Sequence, residues 1–275
     1  MDKKTEKLEH LEKKVLLFGG IYSNLQALEK LIQISEKEGI PSENCICTGD
    51  IIGYCAQPEE TIQVFKKWGA KSIAGNVEIQ LRNGADDCGC DFTKGSRCDS
   101  FSEQWYPFAK SKLSADSLAF LKTLPDHLQC DFGSKKITVV HGSYFNVSEF
   151  IFKSTPWETK YTNFIATNSN IIIAGHSGLP FQEKQNELWW INPGVIGMPA
   201  NDGQPQVWYA ILENKNDTIL CAFKSFIYNH KLTNQRMKKE QLPEAYANSI
   251  LTGLWDNMEI LPESEKKLQG KKIRL

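Results

Sequence analysis

Four apolar runs in this chain each end at a glycine set beside a side chain with metal-ligand chemistry. They are Cys47-Thr48-Gly49-Asp50, Ala74-Gly75-Asn76-Val77-Glu78, Val139-Val140-His141-Gly142 and Ala174-Gly175-His176-Ser177-Gly178. In α/β proteins, ligands collect beyond the carboxyl ends of the strands. A fold that brings these four ends to one edge therefore assembles a carboxylate, an amide and two imidazoles into a cation site. A fifth run, Val15-Leu16-Leu17-Phe18-Gly19-Gly20-Ile21-Tyr22, ends in the same way but offers no ligand.

The first third of the chain supplies strands of the required kind. Val15–Phe18 reads as a strand, followed from about Asn24 by a helix with Leu25, Leu28, Leu31, Ile32 and Ile34 near helical spacing. Gly39-Ile40-Pro41 stops that helix, and Cys45–Thr48 is the next strand. Pro58 opens a second helix at its favoured first-turn position, with Glu59 and Glu60 complementing the helix dipole. Gly69 closes it, and Lys71–Ala74 gives a third strand. This βαβαβ order implies parallel strands joined by right-handed crossovers.

Residues 79–112 break the rhythm and read as an irregular or partly helical, cysteine-bearing insertion. A helix at Ser114–Thr123 follows. The second half reads mostly as strands, at His127–Phe132, Lys136–His141, Ile171–His176, Leu188–Ile191, Val207–Leu212 and Thr218–Phe226. Beyond Asn229 the chain is charged, with one apolar patch at Ala245–Trp255.

Composition narrows the function classes. A formal net charge of -1 provides no field for gripping nucleic acid or an anionic membrane, and the basic end (Lys266, Lys267, Lys271, Lys272, Arg274) reads as a solvated tail. No apolar run approaches the ~18 residues of a membrane span, and the charged N-terminus is not followed by a signal-peptide core. The expected setting is the cytoplasm, with the eight cysteines as reduced thiols; the sequons at Asn146 and Asn216 carry no meaning there. No Gly-x4-Gly-Lys-Ser/Thr loop, Gly-x-Gly-x-x-Gly fingerprint or Gly-x-Ser-x-Gly elbow is present.

In the segments Gly49-Asp50-Ile51-Ile52-Gly53-Tyr54, Gly75-Asn76, Val140-His141-Gly142, Gly175-His176 and Asn192-Pro193-Gly194, the chain resembles the calcineurin-like metallophosphoesterases. The likeness is to their compact bacterial phosphodiesterase and diadenosine-tetraphosphatase-like branch, and it spans roughly residues 14 to 226. It implies a four-layer αββα sandwich of two mixed β-sheets flanked by helices. Two metal sites sharing one aspartate would be expected of the family. Asp50 matches the shared aspartate, and Asn76, His141 and His176 match the rest of the second site. The first-site positions read Gly20, Tyr22 and Gly178, and the histidine that helps the leaving group depart reads Val77.

The chain is thus expected to hold one divalent transition metal (Mn, Fe, Zn or Ni) through Asp50, Asn76, His141 and His176. A lone histidine is more often a satisfied core residue than a ligand, and His10, His127 and His230, which lack such a context, are read as structural or exposed. Asn76 and Tyr22 are the expected substrate contacts, with Tyr22 otherwise a filler for the missing histidine; no catalytic acid or base is assigned. Cys88, Cys90 and Cys98 are either idle thiols or part of a loop folded over the pocket, able to supply thiolate ligands. Phe101, Trp105, Tyr106 and Phe108 read as the core that anchors this loop.

The expected organisation is a phosphoesterase domain over residues 1–230, with the 79–112 insertion, and a C-terminal extension over 231–275. The expected function is hydrolysis of a small phosphoester with one metal. The alternative is a catalytically silent protein that binds a metal or phosphorylated ligand.

Overall fold

Leu16 and Phe18 of β2 (Lys14–Phe18) face one layer of the molecule while Val15 and Leu17 face another, and all four are fully buried. Side chains alternate across a strand, so a strand covered on both faces reads as a continuous apolar run. Ile171 and Ile173 of β7 (Ile171–Ile173) share the second layer with Val15, whereas Ile172 turns toward a third. These residues mark the middle of a four-layer arrangement. The computed structural model describes residues 3–9, 11, 13–216 and 218–275; His10 lies outside them.

One sheet has the order β11-β10-β2-β3-β4. Here β3 (Cys45–Cys47) and β4 (Lys71–Ser72) run parallel to β2, while β10 (Val207–Lys215) and β11 (Thr218–Phe226) add antiparallel strands. The other has the order β1-β5-β6-β7-β9-β8, built from β1 (Thr5–Lys7), β5 (His127–Phe132), β6 (Lys135–Val139), β7, β8 (Phe181–Gln185) and β9 (Leu188–Asn192). Within it β6, β7 and β9 are parallel neighbours. Both sheets are mixed, and the fold is the expected αββα sandwich.

The two sheets close on a core that includes Leu17, Ile46, Ile73, Phe132, Val139, Ile173, Ile191 and Leu212. Outside the first sheet pack α1 (Leu25–Lys37), α2 (Pro58–Trp68), α3 (Asn76–Asn83), α4 (Arg97–Lys112) and α5 (Ala115–Thr123). Outside the second lies α6 (Trp157–Thr167), whose Phe164 rests on Trp190 at 6.2 Å between ring centroids. Asn24 caps α1 by accepting from Ala27 N (3.2 Å) and also donates to Gly197 O and the Tyr228 hydroxyl.

The structure adds elements that the hydrophobic pattern does not show. Within 79–112, residues Arg97–Lys112 are a full helix, with Ser96 as its N-cap. Its Pro107 and polar residues hide the period, but Trp105, Tyr106 and Ala109 are buried. The strand-rich second half also contains α6, and the tail folds into α7 (His230–Lys239), α8 (Glu244–Thr252) and α9 (Glu263–Lys266). Among the described residues no helix is long and apolar enough to cross a membrane.

Candidate metal centre

The parallel strands β2, β3 and β4 in one sheet, and β6 and β7 in the other, end at the same edge of the sandwich. The two edges are joined there by a bridge between Gly19 and Val195. The turns after β3 and β7 place Asp50 and His176 in left-handed backbone, each at φ 58°. Non-glycine residues seldom occupy that region, and turns that hold them there concentrate at functional sites.

Three hydrogen bonds to one buried carboxylate hold the Asp50 turn. Glu78 Oε2 accepts from Asp50 N (2.8 Å) and Gly75 N (2.9 Å), and Oε1 accepts from Ile52 N (3.1 Å). Glu78 stands at the third position of α3, so its bond to Gly75 N also caps that helix. Burial, then the Asp50 charge, push its pKa up to about 7, against the pull of the three N–H donors. On the opposite side Asn192 Nδ2 donates to Gly175 O and Ser177 Oγ, both at 2.9 Å, and so holds the His176 turn.

Asp50, Asn76, His141 and His176 converge on one point. His141 Nε2 lies 3.0 Å from Asn76 Oδ1, 3.1 Å from His176 Nδ1 and 3.2 Å from Asp50 Oδ2. Its other nitrogen, Nδ1, is 2.6 Å from the Thr48 carbonyl, which can only accept. The Nδ1 proton is therefore committed to Thr48, and in neutral His141 the Nε2 lone pair faces the other three ligand atoms. Burial lowers the His141 pKa, but Asp50 and the Thr48 carbonyl outweigh it and leave the pKa raised. His176 is pushed down to about 3, first by burial and then by His141, and among the described residues its buried Nε2 has no well-formed hydrogen bond. Four polar atoms, each able to donate an electron pair, thus share one buried space. Such a set of donors can hold a cation.

The cysteine-bearing segment does reach the pocket. Asn76 Nδ2 donates to Cys88 O at 2.8 Å and approaches Cys90 Sγ at 3.2 Å, while Ser148 Oγ donates to Gly89 O. Both amide hydrogens of Asn76 are taken, which fixes Oδ1 toward His141 but leaves none for the expected contact with a substrate phosphate. Donor atoms of Asp50, His141 and His176 gather within 4.8 Å of one another, and among the described residues no cysteine sulfur joins them. The cysteines here support the amide; they are not in the ligand cluster. Burial pushes the Cys90 thiol well above its usual range. Trp105 and Tyr106 are buried, the anchoring core expected of them.

The fifth strand end is filled with aromatic carbon. The Tyr22 ring lies directly over Gly20, where a Cβ would be 2.3 Å from Tyr22 Cζ. Tyr22 packs edge-on against Tyr54 at 4.6 Å, and burial followed by Asp50 raises its pKa well above the usual value. At Gly178 a Cβ would meet Trp255 Cη2 at 3.5 Å. Trp255 is itself tied by Nε1 to Pro199 O and by its N–H to Asn201 Oδ1, each at 2.8 Å. The sequence pattern missed Glu78, Thr48, Phe150 and Trp255 as parts of the site. Of these only Glu78 leaves a signal, as an acid three residues after a helix-opening glycine.

The fold and site together define the class. The chain belongs to the calcineurin-like phosphoesterase superfamily, whose domain matches residues 13–217. Among known proteins, it is 24% identical to an uncharacterized protein of Methanocaldococcus jannaschii, over 87% of this chain and 98% of the relative. It shares its fold with a hypothetical protein from Pyrococcus horikoshii (TM-score 0.74, 22% identity, 89% of this chain and 100% of that one). A metallophosphoesterase from Sphaerobacter thermophilus superimposes with a TM-score of 0.68, at 22% identity and the same coverage.

Proposed function

We propose that the protein is a divergent metal-dependent phosphoesterase working with one divalent transition-metal ion, held by Asp50, Asn76, His141 and His176. The observation that carries this reading is the convergence of four electron-pair donors around His141 Nε2. A set of two imidazoles, a carboxylate and an amide oxygen suits Mn²⁺, Fe²⁺, Zn²⁺ or Ni²⁺. When bound, such an ion would polarise a phosphoryl oxygen and acidify water. The chain's own contribution is to fix the donors. Thr48 O sets the His141 tautomer, Cys88 O and Cys90 orient the Asn76 amide, and Glu78 and Asn192 hold the turns.

Val77 stands where relatives of this family are expected to carry a proton-donating histidine, so a slow reaction is expected. A second reading, a silent protein that binds a phosphorylated ligand, draws support from Tyr22 and Trp255. Their rings occupy the space beside Gly20 and Gly178, where ligands to another ion would project.

Elemental analysis and assay of bis(4-nitrophenyl) phosphate hydrolysis test both. One equivalent of metal is expected, lost in His141→Ala and His176→Ala, with slow hydrolysis that disappears in Asp50→Asn. Two equivalents per chain would overturn the one-ion reading. Full metal occupancy with no turnover on a panel of phosphoesters would favour the silent one.

A further inference from the structure

A pocket opens onto the Asp50 and His176 side chains, with a cavity of about 90 Å³. Among the described residues its lining includes no lysine and no arginine. Its formal charges are Asp50 and Asp256, and Asp256 is already paired with Arg97 at 2.5 Å. The Arg97 guanidinium also lies over the Phe101 ring, 5.3 Å from its centroid, so Asp256 and Phe101 both engage it.

The mouth has a different chemistry. Phe92, Phe150, Trp255 and Ile260 line the pocket and are partly exposed, whereas Asp50, Cys90 and Ser177 at its base are buried. Phe150 lies against the His176 ring at 4.2 Å between centroids, which places an aromatic face directly beside the ligand cluster. Trp255 is held rigidly by its two hydrogen bonds. Glu259 accepts from Arg97 N and Cys98 N, tying the segment that carries Trp255 to the start of α4 across the opening.

From this we infer that the site selects a phosphodiester carrying one negative charge and a ring-sized apolar substituent, and that it discriminates against polyphosphates and phosphomonoester dianions. The inference rests on the metal-bearing phosphoester reading above. A divalent ion together with Asp50 leaves one positive charge, which a monoanion neutralises. Each further negative charge enters a largely apolar pocket whose described lining offers it no lysine or arginine, where burying an unpaired charge is costly. Arg or Lys clamps are the usual means of holding a polyphosphate, and among the described residues none lines this cavity. The substituent that emerges from the base meets Phe92, Phe150 and Trp255, which reward an apolar ring and do nothing for a second phosphate.

Calorimetric titration of the full chain reconstituted with Mn²⁺ tests the inference with four probes: inorganic phosphate, dimethyl phosphate, phenyl phosphate and diphenyl phosphate. Diphenyl phosphate is expected to bind at least tenfold tighter than dimethyl phosphate, the comparison that isolates the rings. It is also expected to bind at least tenfold tighter than phenyl phosphate, which carries one charge more and one ring fewer. Trp255→Ala should lower diphenyl phosphate affinity about tenfold. The partly exposed Ile260→Lys should raise phenyl phosphate affinity by a similar factor. Equal binding of the two diesters, or tighter binding of phenyl phosphate than of diphenyl phosphate, overturns the selectivity while leaving the phosphoester site standing. Metal-loaded protein that binds none of the four overturns both readings.

Discussion

Replacing Glu78 by glutamine perturbs the centre without touching a proposed ligand. In the native protein one carboxylate serves three backbone donors, at Asp50, Gly75 and Ile52. Glutamine keeps the shape but only one acceptor oxygen. In its better orientation that oxygen still serves Asp50 and Gly75, and the amide nitrogen then confronts the Ile52 N–H. Leaving one buried donor unsatisfied costs about 1–3 kcal/mol. The change also removes a carboxylate that burial and Asp50 already disfavour in its charged form, which places the net loss toward the lower end of that range. For a chain of this size each kcal/mol lowers Tm by roughly 2–4 °C. Because these bonds hold Asp50 in its left-handed turn, metal affinity should also fall, by about 10–100-fold, as for other groups that orient a ligand. Urea unfolding of the metal-free protein reads the first effect, and equilibrium dialysis against Mn²⁺ the second. Stability within about 0.5 kcal/mol of the parent would mean that the three bonds do not hold the turn. A stability loss with unchanged metal affinity would refute the link between Glu78 and the centre.

Two further perturbations address the filled strand end and the acid limb of stability. Gly20→Asp should destabilise by about 1–3 kcal/mol, because its Cβ would collide with the Tyr22 ring. Most of that cost should vanish in a Tyr22→Ala background, and equal costs in both backgrounds, measured by a double-mutant cycle, would show that the ring is not the obstacle. His127, stacked on Tyr144 at 4.8 Å, is pushed down to about 4 by burial and then by Lys3. Between about pH 6.5 and 4 the unfolded chain therefore binds the proton that the folded chain refuses. Stability is complete above pH 6.5 and declines as pH falls toward 4, by an order of ~3 kcal/mol from this group. His127→Gln should flatten that limb in urea titrations at successive pH values, and an unchanged slope would remove His127 as its cause.

Much of this protein could be read from residue order alone. The apolar runs of β2, β3 and β7 are continuous because each is covered on both faces, and that pattern is local. The glycine-flanked turns that deliver Asp50, Asn76, His141 and His176 are local as well, since sharp exits from strands need particular residues at particular positions. The absence of ligands at Gly20, Tyr22 and Gly178 needed only a resemblance to be noticed. By contrast α4 and α6 carry weak periodicity, and their partners lie far along the chain. What fixes them is packing, such as Trp105 against Tyr54 and Phe164 on Trp190.

Distance decided the remainder. Nothing in the sequence places Trp255 against Gly178 or Phe150 against His176, because those contacts join segments separated by whole elements of the sandwich. Cys90 was expected as a soft ligand or an idle thiol, and the three-dimensional structure sets it behind the Asn76 amide instead. The sequence determines which ligand types leave the strands, since strand propensity and turn chemistry act over a few residues. Only the closing of two sheets onto one core decides which of those groups face one another, because burial is a property of the whole molecule.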